Sequence, residues 1–287
     1  MQFTENKTTV AHGQCRATCL ARTVAPSSGH EIITWELKYP RYIHAELMTH
    51  RAFSRNAASS RATPLRVTLE EVRSNPAFFS YVGANRPGMV AGDALPPEDL
   101  AAFRAEWEDL GAYVAGRVEG MSERYGIHKQ TLNRALEPWL FIRTIVTATD
   151  VDNFFRLRLA KDAQPEMQDL ACCMFESMTK AEAKSSDFHF PYFDGSTTPR
   201  DELVIRNVAA AARVCVMQHD GKPSPFEQDA DLVRRLLDGW HLTPFEHFAI
   251  AGSHGVRYAN LTGWISMRFS IEDAGLKNPF IAELLGL

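Results

Sequence analysis

The chain has 287 residues, 45% of them hydrophobic and 23% charged, with a formal net charge of -4. That composition belongs to an ordinary globular protein with enough apolar material for a core, and its charge gives no sign of wrapping a nucleic-acid polymer, although a local basic cluster remains free to hold a small phosphate. No run approaches the ~20 apolar residues of a membrane-spanning helix, and the polar opening MQFTENKTTVAHG has no signal-peptide core, so a cytoplasmic location with no membrane partner is expected.

Residues 14–25 and 30–39 read as strands around a Ser27-Ser28-Gly29 turn, the second of them alternating and rich in β-branched and aromatic residues. Pro40 ends that strand, and residues 42–52 read as a short helix. Residues 73–97 carry several Pro and Gly and read as a long loop. A helix follows over 98–125, with acidic residues in its first turn and Gly126 to close it. Residues 129–136 read as a second helix, and the apolar run 139–148 as a short strand or a buried helix. Helices are expected over 152–159 and 165–184, then a loop over 189–200. The Ala-rich run 204–216 is ambiguous; 229–237 is helical and stops at Gly239; 245–252 and 261–271 read as strands. With no repeat and no marked boundary, the expectation is one α/β (α+β) domain over 1–287, its central sheet largely antiparallel and flanked by helices.

The five cysteines are Cys15, Cys19, Cys172, Cys173 and Cys215. The odd count argues against a complete disulfide framework. No second Cys/His pair with zinc spacing follows Cys15 and Cys19, so no metal site is expected and all five read as structural or incidental thiols.

Residues 46–61 concentrate polar chemistry: His50, Arg51, Arg55 and Arg61 stand among Ser54, Asn56, Ser59 and Ser60, behind Glu46. Guanidinium groups clamp phosphate with forked donors, and small hydroxyl residues let backbone N–H groups approach an anion. A helix running into a Ser-rich turn is a backbone of that kind. On chemistry alone the segment also reads as a solvated basic turn with Ser/Asn capping residues, the commoner case for a charge run.

The spacing Thr49-His-Arg-(2)-Ser54-(1)-Asn56-(2)-Ser59-(1)-Arg61 resembles the Arg-His-Arg…Ser…Asn…Ser…Arg signature of flavin-dependent thymidylate synthases, and the run Ile33–Pro40 resembles the strand leading into it. Arg134-Ala-Leu-Glu-Pro138 resembles that family's Arg-x-x-x-Pro element, and the run Asn153 to Glu166 its Asn-Phe-x-x-Leu-Arg…Ala-Gln-x-Glu helix pair. His241-Leu-Thr-Pro-Phe-Glu-His247 resembles its flavin-contacting element. Taken singly, the 153–158 stretch also reads as an amphipathic helix with Phe154, Phe155 and Leu157 in the core and Arg156 in solvent, and Thr-Pro-x-Glu as a common helix start.

The resemblance implies that His50, Arg51, Asn153, Thr243 and Glu246 hold FAD. It implies that Glu46, Ser59, Ser60, Arg61, Arg134 and Arg158 face a dUMP substrate, and that Arg158, Ser59 and His241 stand at the reacting centre. It implies a methyltransferase, dUMP to dTMP, using methylenetetrahydrofolate and NADPH, in a homotetramer whose sites are shared between subunits. Thr49, Ala57 and Asp162 depart from the family pattern, which leaves open a hydroxymethyl or other C5 product, a dCMP substrate, or a non-catalytic flavin- or nucleotide-binding homologue. The 241–247 element ordinarily precedes the Arg-His-Arg strand; here it lies far C-terminal, as in a rearranged branch.

Overall fold

The computed structural model describes residues 7–195, 198–214 and 224–274. Its elements in chain order are β1 (Thr8–His12), β2 (Cys15–Val24), β3 (Glu31–Pro40), α1 (His44–Met48), β4 (Ser54–Ala57), α2 (Leu65–Ser74), α3 (Pro97–Tyr125), α4 (Lys129–Leu132), β5 (Phe141–Ala148), α5 (Asp152–Arg158) and α6 (Pro165–Lys180). There follow β6 (Lys184–Ser185), β7 (Phe188–His189), α7 (Arg200–Val214), α8 (Phe226–Asp238), β8 (Ala249–Ala251), β9 (Arg257–Tyr258), β10 (Leu261–Thr262), β11 (Trp264–Ser266) and α9 (Met267–Ala274). Short 3-10 turns cover Arg41–Ile43, Asn133–Trp139 and Thr243–Glu246.

The architecture is the expected mixed one, a largely antiparallel central sheet flanked by helices. Its strands run in the order β1-β2-β3-β5-β4, with β6 added in parallel to β2. β3 and β5 lie in the middle, which is why both are buried along most of their length rather than alternating. On one face α6 crosses β1, β2 and β3 and closes a core of Trp35, Leu37, Tyr39, Leu47, Phe53, Phe154 and Met174. Trp35 Nε1 donates to the Met174 carbonyl at 3.1 Å, so the largest core ring is also satisfied. On the other face α7 packs on β4 and β5, and its alanines let the backbones approach closely. α7 and α8 enclose a second core with Phe245, Phe248 and Ile271.

Several expectations change. β1 was not anticipated; it pairs with β2 from Thr8 opposite Cys19 to His12 opposite Cys15. The expected helix over 42–52 is cut to His44–Met48, and the expected loop from 73 starts later because α2 reaches Ser74. The ambiguous run 139–148 is strand β5, and the described part of 204–216 belongs to helix α7, the remainder, with Cys215, lying outside the described residues. The helix expected over 129–136 is α only to Leu132, then 3-10 through Trp139 with Pro138 inside it, whose ring cannot continue an α ladder. The expected strand over 245–252 is reduced to Ala249–Ala251. The expected strand over 261–271 becomes β10, β11 and the start of α9. Gly263 breaks it: its φ is +72°, and a Cβ there would lie 2.4 Å from the His30 ring. Helix α3 and its left-handed cap, Gly126 at φ +61°, are as read from the sequence.

Candidate functional site

The segment 46–61 is not a simple helix-into-turn cradle. α1 ends at Met48, a tight turn carries His50 and Arg51, and the chain then enters edge strand β4 before turning again at Ser59 and Ser60. Arg55 fixes the first turn by donating to the carbonyls of Met48 at 2.8 Å and His50 at 3.1 Å. Thr49 caps α1 through a 2.7 Å bond to the Glu46 carbonyl. β4 pairs with β5, Ser54 opposite Thr147, and Asn56 Nδ2 donates to the Ala211 carbonyl at 3.0 Å, tying the edge strand to α7.

His50 meets α5. Arg158 Nε donates to His50 Nε2 at 3.0 Å, and the imidazole stands edge-on to Phe154 at 4.8 Å and 89°. Burial, with the Arg158 and Arg55 guanidiniums beside it, pushes the His50 imidazole down to about 4. His50 is therefore neutral at pH 7, and because Nε2 accepts, its proton sits on Nδ1. Phe154 and Phe155 anchor α5 in the core. Leu157 does not share their face; it is 52% exposed, because the helix ends one residue later, while Arg156 and Asn153 are exposed as well. The exposed guanidiniums of Arg51 and Arg61 make no side-chain hydrogen bond or ion pair among the described residues. One oxygen of Glu46, Oε2, is buried without a partner.

The serine turn faces a different neighbour. Ser59 Oγ accepts from the Arg61 backbone N–H at 3.3 Å, and Ser60 Oγ donates to Glu137 Oε1 at 3.0 Å. Arg134 Nη1 reaches the same oxygen at 2.8 Å and Arg41 Nη2 at 3.1 Å.

The 241–247 element returns to the sheet despite its distance along the chain. Thr243–Glu246 packs against β4 and α7. His247 Nδ1 lies 2.8 Å from Thr147 Oγ1, the residue opposite Ser54. From there a buried chain continues through Thr34 Oγ1 at 2.7 Å to His189 Nε2 at 2.7 Å, and from His189 Nδ1 to Thr23 Oγ1 at 2.8 Å. Burial lowers both imidazoles to about 3, so they are neutral members of this chain. Glu246 is ion-paired with Arg268 of α9, which also bonds Glu272 at 2.8 Å. His241 is exposed, and no hydrogen bond or ion pair among the described residues joins it, Thr243 or Glu246 to His50, Asn153 or Arg158.

Sequence reasoning had no role for Arg41, Glu137, Arg268 or the Thr-His chain. Arg41 directly after the strand-ending Pro40 was a visible signal of a cation near the motif. Its partner across the fold was not visible. The described cysteines are free thiols: Cys15, Cys19 and Cys173 are buried and Cys172 is half-buried. Burial pushes the Cys19 and Cys173 thiols up to about 12, and raises those of Cys15 and Cys172. None is set up as a thiolate nucleophile.

A family model described as thymidylate synthase complementing protein matches residues 27–182. The match includes the 46–61 segment, Arg134 and the Asn153–Arg158 run; the 241–247 element lies outside it. Among solved structures, thymidylate synthase X from Helicobacter pylori, with FAD and dUMP, is similar at 20% identity over 53% of this chain and 72% of that one, with a TM-score of 0.35. The UMP/dUMP methylase PolB from Streptomyces cacaoi, bound with 5-Br UMP, is similar at 18% identity over 53% of this chain and 69% of that one, with a TM-score of 0.41. The comparison with curated proteins returns no match. Among the described residues no helix is long and apolar enough to cross a membrane.

Proposed function

The chain belongs to the thymidylate synthase complementing protein family, and from that premise we propose that it is a flavin-dependent enzyme of pyrimidine nucleotide synthesis that methylates dUMP to dTMP. Methylenetetrahydrofolate and NADPH are its co-substrates, and it acts as one domain in a homotetramer. The observation that carries the reading is the meeting of the first two motifs at the Arg158–His50 bond, with the exposed Arg51 next to His50 in the chain.

The donor set suits a flavin nucleotide and a nucleotide phosphate. His50 presents an Nδ1–H donor, Arg51 and Arg61 offer exposed forked donors, and Ser59 and Ser60 supply hydroxyls beside them. The partnerless Glu46 oxygen is an acceptor that an N–H of a bound pyrimidine ring would satisfy. The thiol chemistry that would otherwise activate a pyrimidine C5 is absent from the described cysteines, whose thiols burial keeps protonated. Bound FAD supplies hydride chemistry to complete the new methyl group. The protein's part is orientation and charge. His50, Arg51, Asn153, Thr243 and Glu246 hold the flavin. Arg61, Arg134 and Arg158 hold the phosphate and offset negative charge developing on the pyrimidine.

The departures at Thr49, Ala57 and Asp162 favour one second reading: the same flavin and fold acting on dCMP, or ending in a hydroxymethyl pyrimidine. The absorption spectrum of the purified protein, followed by dUMP titration and mass spectrometry of the product, tests both. A flavin spectrum perturbed by dUMP, with dTMP formed, is the expected result. Protein that stays colourless and takes up no added FAD overturns the flavin reading, and a product other than dTMP selects the second.

A further inference from the structure

Arg41 stands between two spaces. On one side it lines a small cavity of about 10 Å³ with Ser59 and Ser60; on the other it lines an open groove of about 540 Å³ with Tyr42, His44, Arg134 and Glu137. The first has room for about one water; the second has room for a ligand. Two donors of the groove wall, Arg41 and Arg134, and one from the small cavity, Ser60, converge on a single atom. Glu137 Oε1 receives Arg134 at 2.8 Å, Ser60 at 3.0 Å and Arg41 at 3.1 Å. Two guanidiniums and a hydroxyl on one oxygen form an arrangement that an oxygen of a phosphate monoester accepts equally well. The Arg41 side chain is only 14% exposed, so its charge is screened far less than that of a surface arginine. His44 adds no charge to the groove: burial and the adjacent Arg41 and Arg55 push it down to about 4. Against two guanidinium charges the groove therefore sets one carboxylate. A nucleotide monophosphate carries about -1.5 to -2 at neutral pH and outmatches that carboxylate on the same donors, while the tether gives Glu137 a standing local concentration.

We propose that Arg41, Arg134 and Ser60 form the clamp for the phosphate of the pyrimidine nucleotide, and that Glu137 is a built-in competitor that holds the clamp together until a phosphate displaces it. The proposal rests on the nucleotide reading above and deepens it, adding Arg41 and Glu137 to the residues that decide affinity.

The test is calorimetric titration of the flavin-loaded protein with dUMP and with deoxyuridine, which lacks the phosphate. Arg41→Ala weakens dUMP binding 10- to 100-fold, in line with loss of a charge-assisted bond, and leaves deoxyuridine unchanged. Glu137→Gln, which removes the charge and keeps the shape, tightens dUMP several-fold and again leaves deoxyuridine unchanged. If Glu137 serves only to position the arginines, Glu137→Gln weakens dUMP instead, and the proposal is overturned; it is overturned equally if Arg41→Ala binds dUMP like the parent. Inorganic phosphate separates this proposal from the functional reading. A phosphate-induced rise in melting temperature, enlarged by Glu137→Gln and lost in Arg41→Ala, upholds the clamp even where dUMP adds nothing further, in which case the nucleotide reading falls. Absence of any phosphate response in both the parent and Glu137→Gln overturns the clamp.

Discussion

Arg158 and His50, 108 positions apart in the chain, share a 3.0 Å hydrogen bond from Nε to Nε2. From the sequence the two were assigned to different ligands, pyrimidine and flavin. Their contact makes each one's orientation depend on the other. Arg158→Ala is expected to lower dUMP affinity or turnover by roughly 10- to 100-fold, since a charge-assisted bond is worth ~1.5–3 kcal/mol, with a much smaller change in FAD content. A variant that keeps its flavin and converts dUMP like the parent would place the nucleotide elsewhere.

The proposed sites are shared between subunits, so the flavin-bound protein is expected to be a tetramer by light scattering at micromolar concentration. Arg51, Asn153 and His241 are exposed in the single chain, which suits residues completed by a neighbour. A strict monomer with full activity is the outcome that removes this expectation.

Chemistry is expected to survive loss of every cysteine. The described thiols have raised pKa values through burial, and Cys15 and Cys173 serve packing, Cys173 Sγ lying 3.4 Å from the Cys15 carbonyl. A folded variant with all five changed to Ser or Ala should retain flavin and turnover. Selective loss of turnover from a single substitution, with flavin still bound, contradicts this.

Stability should fall as pH drops below about 6.5. His189 and His247 are held near 3 by burial, whereas in the unfolded chain they titrate near ~6.5. Their folded values are depressed, so the unfolded state binds more protons between those limits; the stability is complete above pH ~6.5 and is lost progressively toward pH ~3. Each ring contributes a slope of up to ~1.4 kcal/mol per pH unit in that window. Urea midpoints measured at pH 7, 6 and 5 check it, and a flat profile in a folded protein with both histidines present would show the rings to be accessible.

Trp240→Gly is expected to stabilise the fold. α8 ends in a Schellman turn, with His241 N–H on the Leu236 carbonyl at 2.8 Å and Trp240 N–H on that of Leu237 at 3.0 Å. This places Trp240 at the left-handed position with φ +54°, while Gly239 beside it sits at an ordinary φ of -87°. A bulky residue there costs ~1–2 kcal/mol, and the indole, 56% exposed, recovers little by burial. Thermal unfolding should show a gain of about 0.5–1 kcal/mol after the entropic cost of glycine is deducted. A loss would mean that the indole contacts something that outweighs the backbone.

Local patterns reached a long way. Strands β2 and β3, helix α3 with its Gly126 cap, α5 and α6 follow from alternation, caps and punctuating prolines, because those signals act within a few residues. Where the reading failed, a distant partner decided. The 261–271 run has strand composition, yet the His30 ring fills the space at Gly263 and the chain turns. Leu157 reads as core by spacing, yet α5 ends at Arg158 and leaves this residue 52% exposed.

The same division holds at the candidate site. The sequence by itself determined which side chains are available: a turn dense in arginine, serine and histidine at 46–61, a helix ending in Arg158, and a Thr-Pro-Phe-Glu-His element out of its ordinary order. Side-chain chemistry and short-range spacing are properties of the string, so they can be read there. Only the tertiary structure decided who meets whom. Edge strand β4 receives the 241–247 element from the far end of the chain, Thr147 carries His247, and one Glu137 oxygen gathers Arg41, Arg134 and Ser60. Those contacts arise from sheet order and from the burial of α7 against β4 and β5, and packing of that kind depends on the whole chain at once.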